Sequence, residues 1–164
     1  MIFNFGNARR LIWGFGVELA LGALIFLCVL FFTEEAARAK FLRDTATDWL
    51  AVSGQVLFPA AVAIWITYVN IESSSFGDYL RYQKASQPFH LAFIYPAVVF
   101  FTTTLALIFA KGTAVTNLPA IAVFLLGYSS VVFVSMILNV TAVMRLYGAF
   151  RLIVERERQG QQGK

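Results

Sequence analysis

Four long apolar runs dominate this chain and leave it few ways to fold in water. They cover residues 11–32, 49–70, 89–110 and 118–144, and Glu18 is the only Asp, Glu, Lys or Arg inside them. A run of ~20 apolar residues is long enough to cross a ~30 Å hydrocarbon core as a helix. Each run is continuous and lacks the period-2 alternation of a barrel strand, so helices are expected throughout. The predicted fold is therefore an all-α integral membrane protein with four transmembrane helices in a compact bundle. The fourth run is the longest and is expected to tilt or to reach past the bilayer.

Composition agrees with this reading. Of 164 residues, 59% are hydrophobic and 13% charged, against roughly 45–50% and about 25% in soluble domains. A chain of ~150 residues buries only about 70% of its unfolded surface. The 17 phenylalanines, spread along the whole chain, would leave much apolar area in water. A soluble enzyme and a disordered tail are thereby excluded, and a lone cysteine, Cys28, excludes a disulfide scaffold. Nucleic acid is not an expected partner, despite a net charge of +4; the expected partners are the lipid bilayer and other membrane subunits.

Orientation follows from the cations in the short connections. Arg9, Arg10, Arg81, Lys84, Arg145, Arg151, Arg156, Arg158 and Lys164 fall on one side, and Arg38, Lys40, Arg43 and Lys111 on the other. Nine against four places both termini in the cytoplasm of a bacterial-type inner membrane. Arg9–Arg10 before an apolar run, with Ala37-Arg38-Ala39 beyond it, loosely mimics a secretory leader. The run is too long for a leader's apolar region, so it reads as a span.

The connections carry weaker signals. Residues 33–48 read as a helical outer connection, with Thr33 as its cap and Glu34–Arg38 and Lys40–Asp44 as i,i+4 pairs. In the inner connection, Ser75 and Asp78 form a capping signature, and Phe76, Tyr79, Leu80 and Tyr82 suit either a helix in the headgroup region or a docking element. Residues 145–164 read as a basic cytoplasmic extension of the last helix, ending in a flexible Gln-Gly-Gln-Gln-Gly-Lys. No segment outside the spans exceeds about 20 residues, too few for a separate catalytic domain.

Glu18 is the sharpest single feature. It lies ~10 Å inside the first span at 1.5 Å per residue, and an ionisable group at that depth is by default a functional candidate. Gly14 and Gly22 flank it at i−4 and i+4, a stripe that lets another helix approach closely. On the fourth span Gly127, Ser135 and Asn139 form a second small, polar stripe. Matching depths from the inner boundary pairs Glu18 with Asn139, assisted by Arg145 or by a tyrosine hydroxyl such as that of Tyr95. A carboxyl in a low-dielectric setting favours its neutral form, which serves helix packing as readily as proton handling.

Other chemistry is thin. The sole histidine, His90, cannot make a bis-His site, and there is no Cys pair, Gly-rich phosphate loop or intramembrane Asp pair. No catalytic residue, metal site or cofactor is expected. Pro59 and Pro96 are expected to kink their helices. Thr102, Thr103 and Thr104 are expected to bond their own backbone. The functional expectation is a non-catalytic subunit of a larger membrane assembly of secretion, conjugation or energy-transducing type. The alternative is a small homo-oligomeric channel or proton-coupled carrier built on Glu18.

Overall fold

The computed structural model describes the backbone of residues 8–83, 86–112 and 118–162, and the side chains of 16–83, 86–111, 120–156 and 159. The described chain is all helix and turn. Its elements are α1 (Ala8–Phe32), α2 (Glu35–Ala51), a π-turn (Val52–Leu57), α3 (Phe58–Glu72), α4 (Ser75–Tyr82), α5 (Ser86–Gly112) and α6 (Leu118–Gln162).

Three helices, not the expected four, are long and apolar enough among the described residues to cross a membrane. They run Glu35–Glu72, Ser86–Lys111 and Ala120–Arg156. The first run falls short because only its Gly16–Phe32 part is described in full, and that is a shorter apolar helix. Three such helices fit a membrane-associated protein.

The second run is part of a longer object. α2, the π-turn and α3 form one continuous helical segment of 38 residues. Pro59 explains the π-turn: it has no N–H to give back to the preceding turn. The Phe58 N–H instead reaches the Ser53 carbonyl, five residues back, so the irregularity is absorbed as a bulge rather than a break. Pro96, by contrast, lies inside an uninterrupted α5.

α5 and α6 are at the centre of the packing. α6 lies between α1 and α5, and α3 packs on α5, giving a row α3–α5–α6–α1; α1 and α3 make no substantial contact among the described residues. Where α3 and α6 diverge, Ile64, Thr67, Tyr68, Phe93, Val140 and Val143 line a small groove. Phe93 and Phe100 of α5, at 2% and 0% exposure, sit in core clusters shared with α3 and α6. α1 and α3 are the two ends of this row.

Both connections differ in detail from the sequence reading. Thr33 does not cap α2; its hydroxyl turns back to the Val29 carbonyl, and the residue before α2 is Glu34, with no side-chain cap. Arg38 also turns back, donating to the carbonyls of Leu30 and Thr33 rather than pairing with Glu34. The open carbonyls at the end of α1 attract a cation more strongly than an exposed carboxylate does. Ser75 and Asp78 form no capping box: Asp78 pairs with exposed Arg81 at 2.7 Å, and Ser74 precedes the helix. Its hydrogen bond pushes the Arg81 guanidinium further up from an already high value.

α4 docks on its own chain. Phe76 and Leu80 are fully buried, and Phe76 meets Tyr147 and Phe150 of α6 at ring separations of 5.3 and 5.5 Å. Of the two expected readings, the structure shows α4 docked within the chain, and of its aromatic residues Tyr82 is left largely bare at 85% exposure. The α6 helix continues to Gln162, into the terminal Gln-Gly-Gln-Gln-Gly-Lys stretch. Extending an existing helix adds one hydrogen bond per residue fixed, without a new nucleus.

Candidate functional site

The Glu18 site is built by α1 and α6 running antiparallel. Gly22 is the point of closest approach: a Cβ there would lie 2.7 Å from Cδ2 of Tyr128. Gly127 does the same for the opposite helix, where a Cβ would lie 3.1 Å from Cγ2 of Ile25. Phe26 meets Phe124 edge-on at 5.5 Å. Both glycines thus open space for a bulky partner side chain, as close helix approach requires.

Within this seam Glu18 accepts a hydrogen bond from Ser135, not from Asn139. The other carboxyl oxygen, Oε2, is buried with no partner among the described residues. The difference from the expected Glu18–Asn139 pair is one of register: matching depths from the inner boundary differs by about one turn from the register set by Gly22–Tyr128 and Ile25–Gly127. Asn139 is thereby carried ~6 Å past Glu18 along the axis at 1.5 Å per residue. Asn139 is half-buried, and Arg145 is exposed ten residues (~15 Å) beyond Ser135. Gly14 lies in α1, but its surroundings fall outside the described residues.

Tyr95 does join the seam's far side. Its hydroxyl shares a hydrogen bond with that of Tyr128, whose ring stacks on Phe124 at 5.8 Å. Tyr128 therefore touches three helices: α1 through Gly22, α5 through Tyr95, and its own.

Some other hydroxyls of the apolar helices are also interhelical, whereas Thr67, Ser130 and Thr141 bond carbonyls of their own helix. Thr103 and Ser129 bond at 2.7 Å between α5 and α6. Ser53, at the π-turn, bonds Thr104 at 3.0 Å and donates to the Phe100 carbonyl at 3.2 Å. The threonines bond their own backbone as expected, but Thr103 and Thr104 also fasten neighbours. A groove of about 330 Å³ lies above these contacts, walled by Trp49, Leu126 and Phe133.

No protein-family model, curated protein or solved structure matches this chain.

A second polar cluster, at the α4 end, was missed by the sequence reading. Ser86 donates to Glu72, and Glu72 Oε2 lies 3.6 Å from His90 Nδ1. The Tyr68 hydroxyl donates to the Ser86 carbonyl at 3.1 Å, and His90 stands edge-on to Trp65 at 5.9 Å. These pairs are 14–25 apart in sequence and meet only because α4 reverses the chain. Ser, Glu and His together suggest hydrolysis, but the order is wrong. Nucleophilic catalysis needs the hydroxyl on the imidazole, and here the carboxylate sits between them. The cluster ties the end of α3 to the start of α5. Among the described residues no group of three His, Cys, Asp or Glu could hold a metal ion.

Proposed function

We propose that the chain is a non-catalytic subunit of a larger assembly in a bacterial-type inner membrane, of secretion, conjugation or energy-transducing type. In this reading α1 is the fourth span, both termini are cytoplasmic, and α4 with the α6 extension lies on the cytoplasmic side. The cation count in the connections supports that orientation.

One observation carries the assembly role. α1 is held mainly by its seam on α6, and much of its other described surface is bare: Leu19, Leu24, Leu27, Phe31 and Phe32 are 52%, 57%, 48%, 83% and 87% exposed. A helix fastened along one stripe at the end of a row presents a second face to a neighbour. Meanwhile Glu18–Ser135, Tyr95–Tyr128, Thr103–Ser129 and Ser53–Thr104 join one helix to another, as expected of packing elements in lipid.

The test is extraction in mild detergent followed by native mass spectrometry. Unrelated chains are expected to co-purify in fixed stoichiometry, and photo-crosslinkers at Leu24 or Leu27 are expected to capture one of them. A functional species made only of this chain, with no capture from α1, overturns the reading.

The half-satisfied Glu18 carboxyl supports a second reading, a small homo-oligomeric channel or proton-coupled carrier. Glu18→Gln separates the two. Packing tolerates the amide, while proton handling fails with assembly intact.

A further inference from the structure

The edge of the row opposite α1 carries an unsatisfied amide. Gln55 is exposed on the π-turn, and its side chain has no hydrogen bond among the described residues. It lies six residues beyond Trp49, ~9 Å along the helix. Below it on the same face stand Pro59, Ala63 and Ile66, all exposed, and then Asn70, a second exposed amide. The spacings 55, 59, 63, 66 and 70 keep these residues on one strip. The exposed threonines of the spans do not share this problem: Thr67, Thr102 and Thr141 each bond a carbonyl four residues back. A carboxamide left bare in hydrocarbon has no such refuge, and its desolvation is costly.

We propose that this strip is a symmetric interface with a second copy of the chain, centred on a Gln55–Gln55 hydrogen bond. Copies inserted in one membrane share one orientation. A two-fold axis along the membrane normal therefore brings every residue on the axis to its own counterpart at equal depth. A carboxamide is both donor and acceptor, so it is complementary to itself, which a carboxylate or an ammonium is not. Asn70 has the same property at the other end of the strip. Pro59 and Ala63 between them keep side-chain bulk low, so that two backbones approach closely. Such an interface is isologous and closes at two copies. It uses the α3 edge and leaves α1 free, so it is independent of the assembly reading.

The experiment is cysteine crosslinking of the full chain in native membranes, in a Cys28→Ser background. Gln55→Cys is expected to give an oxidised homodimer. Leu24→Cys, at a similar depth on α1, is expected to remain monomeric. In parallel, Gln55→Leu is expected to weaken dimerisation in liposomes roughly 3- to 30-fold, and Gln55→Asn to weaken it less. Gln55 is exposed and its side chain has no hydrogen bond among the described residues, so these variants are expected to fold as the parent does; thermal unfolding in detergent checks this. Equal crosslinking at positions 55 and 24, adducts only to unrelated proteins from position 55, or unchanged dimerisation in Gln55→Leu each overturns the proposal. Failure of the assembly reading looks different: homodimers alone, with no unrelated chain.

Discussion

Gly77→Ala tests how α4 is held. α4 begins three residues after α3 ends, and a Cβ at position 77 would lie 1.7 Å from the Glu72 carbonyl oxygen and 2.3 Å from its carbon. Both are backbone atoms, so no side chain can turn away. Ordinary contact begins at 3.4 Å, so the two segments must part by 1.7 Å (3.4 − 1.7). That shift unseats Phe76 and Leu80, each at 0% exposure. Burial of such a side chain is worth about 1.5–3 kcal/mol, or about 3–6 kcal/mol for both. Alanine returns ~1 kcal/mol of helix propensity, so the net loss is about 2–5 kcal/mol. Thermal unfolding in detergent and tryptic cleavage after exposed Arg81 are the assays. Gly148→Ala is the control, because a Cβ there meets nothing within 4 Å; it is expected to be neutral or up to ~1 kcal/mol stabilising. Equal stability of Gly77→Ala and the parent would refute the packing argument.

Three further outcomes follow from the same geometry. Gly22→Ala drives a methyl into the Tyr128 ring and is expected to cost ~1–3 kcal/mol of overpacking, read as a lower unfolding temperature; Gly16→Ala, with open space around it, should show no such drop. Thr103→Val keeps the shape but removes the bond to Ser129; a loss of ~0.5–2 kcal/mol is expected, largely restored by pairing it with Ser129→Ala. Arg38→Met uncovers the last carbonyls of α1 and is expected to increase amide exchange of residues 30–33, with little effect on α5 or α6.

The sequence made the helices legible because apolar runs of this length have one solution in lipid. It also singled out Gly22, Ser135 and Glu18 as members of facing stripes. The partner of Glu18 was not legible, because register depends on how Gly22 seats Tyr128, a shape match with no linear signature. The same holds for the Glu72–Ser86–His90 cluster, which exists only once α4 has reversed the chain. Phe76 and Leu80 showed an amphipathic helix, but an apolar face looks the same whether lipid or α6 covers it. The order of the helices was hidden for a related reason: stripe patterns show which faces are apolar, not which neighbour wins them. Pro59 announced an irregularity, and the structure shows its form as a π-turn that exposes Gln55.

The most direct test of the account is Glu18→Gln read on two channels at once. The variant and the parent are reconstituted in liposomes for proton flux, and extracted from native membranes for assembly and thermal stability. Glutamine keeps an acceptor for Ser135. The account therefore predicts a stability within ~1 kcal/mol of the parent, an unchanged set of co-purifying chains, and no Glu18-dependent flux. A proton flux in the parent that vanishes in Glu18→Gln, with the assembly intact, would contradict it and make the carboxyl a proton-handling group.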